Sequence, residues 1–394
     1  MPSKIQQPLP PWPAYSEAEL AAVTEVLRSG RGNYWLGEHG LALEREFADY
    51  CGSRYGLAVG NGTLALQLAL HALGIGAGDE VIVTPRSFVA SANCIVLCGA
   101  RPVFADVDRD SQNLTPESVE RVITPRTRAI MAVHLAGWPC DMPGLMRLAS
   151  DRGLYVIEDC AQAHGAAVAG RKVGSFGQTA AFSFCQDKII STGGEGGLLL
   201  TADEELWAQA AAYRNHGKDP RKVNPGARDF EFQWQHDTVG SNYRMLEVQS
   251  VLGRLQLSKL EDWIAIRARN AAVLTAGLLG QAAARTTNPG ADIRHAYYKY
   301  YFFIQPEALK SGWNRPRLLA EIGAAGVPCS IGVSPEIYRE PAYVQRGLAP
   351  ASRLPVAAEL CETSMVVPVH PTLTETIVGE MCDIICSVLK SATR

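Results

Sequence analysis

The sequence predicts an α/β protein with a large, mostly parallel-sheet domain over residues 1–258 and a smaller C-terminal α+β domain over residues 259–394. Three observations lead there. From about residue 55 to 202, short apolar segments alternate with segments of helical period, the pattern of a parallel sheet covered by helices. The apolar segments, such as Val81-Ile82-Val83 and Leu198-Leu199-Leu200, run without polar interruption, as strands buried on both faces do. Beyond residue 258 the pattern changes to a few strands and helices that suit a compact second unit. A chain of 394 residues is long enough for both.

The elements follow in order. Residues 1–15 are rich in proline and are expected to lie extended over the surface. A helix should begin at Ser16, with Ser16 and Glu19 as a capping box, and stop near Gly30. Residues 31–40 contain Gly32, Tyr34, Trp35, Gly37 and Gly40, so a loop carrying exposed aromatics is expected. Strands are expected at 80–84, 102–107, 129–135, 154–159, 179–184 and 197–201, and helices at 63–73, 87–99 and 141–152. A helix at 203–215 leads into a polar stretch, 216–241, read as a long loop or lid; loops of that length suggest function. Helices near 245–258 and 260–280 come next. Strands near 297–304 and 327–332 and helices near 315–325 and 374–390 complete the chain.

Composition narrows the function. With 47% hydrophobic and 20% charged residues, a large core is expected and wholesale disorder is not. A formal net charge of -3 offers no basic excess for nucleic acid or an anionic membrane. The ten cysteines include no C-x-x-C pair, so neither a zinc ribbon nor a thioredoxin motif is indicated and no metal site is expected. Cys94 and Cys98, like Cys382 and Cys386, are spaced to share a helical face and read as free thiols in a reducing compartment. The N-terminus lacks an apolar signal core, and no apolar run reaches the roughly 18 residues of a membrane span. The expectation is a soluble, cytoplasmic protein.

The chemistry centres on Lys188. It follows the segment Ala181-Phe182-Ser183-Phe184 and runs into Gly193-Gly194-Glu195-Gly196-Gly197, glycines that permit tight turns and close approach to a ligand. Upstream, Asp159 ends the apolar segment Leu154-Tyr155-Val156-Ile157-Glu158. A lysine beyond a strand is ordinarily a solvated charge, and a strand-end acid ordinarily a cap. Together they suit pyridoxal phosphate, which needs an amine for a Schiff base, a carboxylate for its ring nitrogen and donors for its phosphate. Gly60-Asn61-Gly62-Thr63 opens a helical segment, where free N–H groups and the helix dipole favour phosphate.

These blocks resemble the DegT/DnrJ/EryC1/StrS family of sugar aminotransferases. The resemblance rests on Gly60-Asn61-Gly62-Thr63, on Asp159-Cys160-Ala161-Gln162, on Ser183, Phe184 and Lys188 followed by Gly194-Glu195-Gly196-Gly197, and on Gly240-Ser241-Asn242-Tyr243-Arg244-Met245, in the family's order. It implies an aspartate-aminotransferase-like fold, pyridoxal 5'-phosphate type I, and a set of roles. Lys188 would bind the cofactor covalently and move the substrate proton, and Asp159 would pair with the pyridine nitrogen. Gln162 would contact the phenolic oxygen, and Gly62, Thr63 and Ser183 would hold the phosphate. Phe88, otherwise a plain core aromatic, would stack on the ring. Asn242 would reach the cofactor phosphate of the neighbouring subunit, so a homodimer with shared sites is implied. Arg86 stands where the family has an apolar residue, which leaves a substrate contact by Arg86 open. His164 is taken as a residue behind the site. Tyr213-Arg214-Asn215-His216-Gly217 and His295-Ala296-Tyr297-Tyr298 fit family segments without an assigned catalytic role, and Ser330 through Tyr338 would lie near the substrate.

The reaction implied is amino transfer from glutamate or glutamine to a nucleotide-linked keto sugar. The segment from Asp187 to Glu195 resembles members that act on 4-keto-6-deoxy sugars; a 3-keto sugar is the alternative. A dehydratase of the same family would replace the lysine, commonly by histidine, and an iron–sulfur variant would need grouped cysteines. A catalytically silent regulator on the same fold is disfavoured by the intact Lys188, Asp159, Gln162 and Ser183. A nicotinamide dehydrogenase would need G-x-G-x-x-G, and position 65 is Ala.

Overall fold

Largely buried strands form the central layer, and those at Glu80–Val83, Thr179–Ser183 and Gly197–Thr201 are buried at every residue. In this computed structural model, which describes residues 4–5, 8–222 and 236–394, helices α1 (Glu17–Ser29) and α2 (His39–Cys51) precede β1 (Tyr55–Val59) and α3 (Gly62–Ala72). Then come β2 (Glu80–Val83), α4 (Ala90–Leu97), β3 (Arg101–Phe104), α5 (Pro116–Glu120), β4 (Thr127–Val133), α6 (Met142–Arg152) and β5 (Tyr155–Asp159). A short ribbon, β6 (Ala167–Val168) and β7 (Arg171–Lys172), leads to β8 (Thr179–Ser183), β9 (Gly197–Thr201) and α7 (Glu204–Arg214).

The seven-stranded sheet runs in the order β1-β9-β8-β5-β4-β2-β3. From β8 to β3 every junction is parallel, whereas β9 is antiparallel to both of its neighbours. Two reversals restore direction, so β1 points the same way as β8. The carboxyl ends of β1, β2, β5 and β8, and the start of β9, therefore share one edge, where ligands bind in open α/β sheets. Alternation along β5 decides which of two adjacent acids faces that edge. Glu158 is consumed by the protein: its carboxylate accepts from the amides of Gly174, Phe176 and Gly177 and pairs with His134. Asp159 remains for the cleft.

The C-terminal part contains α8 (Glu247–Leu257), α9 (Leu260–Leu278), β10 (Ala284–Arg285), β11 (Ile293–Arg294), β12 (Tyr300–Ile304), α10 (Arg315–Ala324), α11 (Pro341–Val344), α12 (Pro355–Thr363), β13 (Ser364–Val367) and α13 (Glu375–Ala392). The three-stranded sheet β10-β12-β13 packs with α9, α10 and α13 around Phe302, Leu318, Ile322 and Ile385. Helix α9 serves two cores. Leu260 and Ile264 pack beside Phe182 and Leu198, and Leu274 and Leu278 pack beside Phe302. We propose that the division into two domains falls along α9. No helix among the described residues is long and apolar enough to cross a membrane.

Three expectations change. Residues 31–40 do not display both aromatics. Trp35 is 44% exposed, but Tyr34 is 7% exposed and its hydroxyl donates to Glu44 at 2.9 Å. Residues 39–51 form α2, where the sequence predicts a loop ending at 40 and no element over the rest. The 327–332 strand does not form: Pro328 has no N–H for a ladder, and Ser330 makes an isolated bridge to Val366. The strand beside β12 is β13. The two ends of the 216–241 stretch meet, through His216 N to Ser241 O and Asp237 N to Gly217 O, both 3.0 Å. Gly217 is required there, since a Cβ would come 1.6 Å from Thr238 O. Residues 223–235, the middle of the loop or lid expected over 216–241, lie outside the described residues.

The N-terminal segment does more than cover the surface. Trp12 Nε1 donates to Lys188 O at 2.9 Å, and the Gly193 amide donates to the Tyr15 hydroxyl at 3.2 Å. Helix α1 begins as expected, with Glu19 accepting from the Ser16 amide and hydroxyl, both at 2.7 Å.

Helix α2 has no side-chain cap of its own at Glu38. Glu247, 208 residues away, supplies it by accepting from His39 N at 2.7 Å and Gly40 N at 2.9 Å. A buried carboxylate at a helix N-terminus satisfies orphan amides and meets the positive end of the dipole. Glu247→Ala should therefore destabilise the protein by about 1–2 kcal/mol, read as a lower urea midpoint with an unchanged slope.

Candidate active site

A cavity of about 420 Å³ opens at the shared strand edge, within the usual range for small-molecule sites. Its floor is where β1, β8 and β9 converge. Asn61 caps α3, its Oδ1 accepting from Leu64 N at 3.0 Å. The first-turn amides that follow have no acceptor within the helix. A Cβ on Gly62 would lie 2.6 Å from Ser183 Cβ, and one on Gly197 would lie 2.4 Å from the Asn61 carbonyl carbon. Any side chain at either position would force these backbones apart. Thr63 and Ser183 border the same corner of the cavity.

Asp159 lies on the facing side, 4% exposed. Its Oδ2 accepts from Ser91 Oγ at 2.7 Å and its Oδ1 from Ala161 N at 3.1 Å. These donors are neutral, so they aim the carboxylate without cancelling its charge. Gln162 Oε1 accepts from Ala136 N at 2.8 Å, which fixes the amide so that its NH2 is the end left for the cavity. Phe88 is not a core aromatic: it is 62% exposed and borders the cavity.

Lys188 sits on the loop between β8 and β9. A turn bond from its amide to Cys185 O, 3.0 Å, and the Trp12 bond to its carbonyl hold the backbone on both sides. The Nζ atom lies 4.8 Å from the centroid of the Tyr298 ring. Burial lowers the pKa of this amine from its ordinary value; the charges of Asp187 and Asp159 oppose that and Lys299 adds to it. The net effect enlarges the fraction of free amine at neutral pH, as a nucleophile or base requires. Behind it His164 is wholly buried against Phe47, Phe182 and Phe184, with neither ring nitrogen hydrogen-bonded. Burial and the Lys188 charge push His164 down to about 3, so it is neutral.

Arg86 is 0% exposed and does not face the cavity. Its guanidinium donates to Gln112 Oε1 at 2.7 Å and braces the turn at Pro335, so the open question of a substrate contact is answered by a structural role. Arg214 likewise pairs with Glu44 at 2.5 Å inside the core. Asn242 is exposed and lies apart from the cavity, bridged to Asn215. The fold thus brings Gly62, Thr63, Phe88, Asp159, Gln162, Ser183 and Lys188 together and leaves Asn242 outside. From the 330–338 segment, Gly332 and Val333 reach the cavity.

Sequence reasoning missed a group that also lines the cavity. Asp187 accepts from the Tyr298 hydroxyl and from Lys299 Nζ, the latter at 3.2 Å. Asp187 and Tyr298 are 111 positions apart, and no local pattern links them. This donor set fits pyridoxal phosphate: a buried amine of lowered pKa, a carboxylate held by neutral donors, an amide-rich corner too tight for side chains, and an exposed ring.

Comparison with known proteins agrees. Residues 13–386 match the DegT/DnrJ/EryC1/StrS aminotransferase family. The UDP-N-acetyl-3-dehydro-alpha-D-glucosamine 3-aminotransferase of Acidithiobacillus ferrooxidans is 38% identical over 379 residues, 93% of this chain and 95% of its own length. The GDP-perosamine synthase of Caulobacter vibrioides is 39% identical over 302 residues, 74% of this chain and 76% of its own. The X-ray structure of the aminotransferase from Psychrobacter cryohalolentis superposes with a TM-score of 0.96 at 48% identity, covering 98% of this chain and 100% of that one. The chain belongs to the DegT/DnrJ/EryC1/StrS aminotransferase family; it is a transaminase with the aminotransferase α/β fold, in a family whose characteristic cofactor is pyridoxal phosphate.

Removing the charge of Asp187 leaves burial and Lys299 acting against a protonated Lys188, with Asp159 and, more weakly, Cys185 opposing them. In cofactor-free Asp187→Asn protein, acylation of Lys188 followed by mass spectrometry across pH should reach its midpoint at lower pH than in the wild type. An unmoved midpoint would show that Asp187 does not act on the amine.

Proposed function

We propose that this enzyme transfers an amino group from glutamate or glutamine to the keto carbon of a nucleotide-linked sugar, with a 4-keto-6-deoxy sugar as the acceptor. The observation that carries it is the pairing, across one cavity, of a free-amine-prone Lys188 with an Asp159 carboxylate held by neutral donors. The activities by which the Acidithiobacillus and Caulobacter relatives are named, on UDP- and GDP-linked compounds, support the acceptor class.

Bound here, pyridoxal phosphate supplies the electron sink that lets a proton leave carbon. The chain's own groups do the rest. The amides of Gly62 and Thr63 and the Ser183 hydroxyl bind the phosphate at the α3 N-terminus. Asp159 would hold a proton on the ring nitrogen, Gln162 would donate its NH2 to the ring oxygen, and Phe88 would cover the ring and exclude water. Lys188 Nζ would hold the cofactor and serve as the base that moves the substrate proton. Asn242, exposed and outside its own cavity, serves the site of a second copy in a homodimer.

A 3-keto acceptor is the second reading, favoured by the name of the Acidithiobacillus relative; the likeness of the 187–195 segment to 4-keto members favours the first. The test is an absorbance titration of the holoenzyme. Glutamate or glutamine should bleach the visible band of the cofactor, and one 4-keto nucleotide sugar should restore it. Restoration by 3-keto sugars alone reverses the assignment, and no bleaching with either donor removes the transaminase reading.

Shared sites make a second expectation. Lys188→Ala and Asn242→Ala proteins should each be impaired alone. After mixing and reassembly, about a quarter of wild-type activity should return, because half of the dimers then carry one intact site. No recovery would place Asn242 outside the partner's site.

A further inference from the structure

One cavity must accept two unlike substrates: an amino acid carrying an α-carboxylate, and a sugar whose reacting ring is uncharged. Among the described residues that line it, the cations are Lys188 and Lys299, and Lys188 is committed to the cofactor. Lys299 shares an aromatic ring with it: its Nζ is 4.9 Å from the Tyr298 ring centroid, Lys188 Nζ is 4.8 Å from the same centroid, and the Lys299 charge acts on Lys188. Its partner is Asp187 at 3.2 Å, and the side chains of the pair are 38% and 54% exposed. An ion pair this exposed is easily exchanged.

We propose that Lys299 is the specificity residue that anchors the α-carboxylate of the amino-acid donor, exchanging the Asp187 carboxylate for that of the substrate. The inference rests on the reading that an amino acid is the donor. The α-carboxylate is one carbon from the reacting nitrogen, so it stays in the part of the cavity that Lys188 and Lys299 share around the Tyr298 ring. The diphosphate of a sugar nucleotide is attached several bonds from the keto carbon and lies further out. When the uncharged ring enters instead, Lys299 returns to Asp187, so no unpaired cation faces it. Asp187 is not stranded when Lys299 leaves, because the Tyr298 hydroxyl still donates to it.

The test uses holoenzyme and glutarate, a dicarboxylate that has no amine to react, with binding measured by calorimetry. Lys299→Met should weaken glutarate binding and raise half-saturation by glutamate about tenfold or more. Lys299→Arg should restore most of both, and affinity for UDP and GDP should stay near wild type. Wild-type affinity for glutarate in the Met variant, no glutarate binding by the wild type, or a loss confined to UDP or GDP would each overturn the proposal, the last assigning Lys299 to the diphosphate. If glutarate binds through Lys299 but no keto sugar is ever aminated, the functional reading falls and the carboxylate site stands.

Discussion

The close approach of three backbones at the end of the sheet is the constraint on which the site depends. Gly62 and Gly197 let the turn after β1 and the start of β9 press against β8 and against each other, where a Cβ would lie within 2.6 Å of its neighbour. That contact places the α3 N-terminus beside Ser183 and closes the corner suited to an anion. It also fixes the origin of the loop that carries Lys188. A methyl group at either glycine would displace the corner and the lysine together, because both hang from the same strand ends.

The loop itself is held from outside the sheet. Trp12 and Tyr15 of the N-terminal segment bond to Lys188 O and Gly193 N, and Gln256 of α8 accepts from Ser191 N at 2.8 Å. These anchors come from segments far apart in the chain, the N-terminal stretch and α8. They act on backbone atoms and leave the amine free to respond to its surroundings. Its protonation is then a balance between burial, which favours the neutral form, and the Asp187 and Asp159 carboxylates, which favour the charged one. Lys299 shifts that balance as well, so a group that neutralises Lys299 also alters the base beside it.

A second set of buried charges builds the frame. Glu44 accepts from Ala58 N, the Tyr34 hydroxyl and Arg214, and Arg214 also donates to Ala58 O at 2.9 Å. The pair is tolerable inside the protein because each member has further hydrogen bonds. It ties α2 and α7 to β1, and Glu247 ties α8 to the start of α2. The segment Tyr213 to Gly217, which fits the family pattern without an obvious chemical purpose, contributes this brace and the turn that closes the base of the 216–241 stretch.

The sequence by itself determined the α/β class, most strands of the large sheet and many of the groups that meet in the cavity. These are local patterns: an uninterrupted apolar run, a glycine-rich turn before a helix and an acid ending a strand are each visible in a few adjacent residues, and together they point to one chemistry. It did not reveal α2, whose start is capped by a residue 208 positions away, and it placed a strand at 327–332 where Pro328 denies the ladder a donor. It left Arg86 open because one residue cannot say whether its guanidinium meets solvent, substrate or Gln112. Tertiary structure alone decided those points, along with the wall formed by Asp187, Tyr298 and Lys299. The physical reason is common to all of them: hydrogen bonds and charge pairs act through space over about 3 Å, and residues far apart in sequence become partners only after the sheet has brought its ends together.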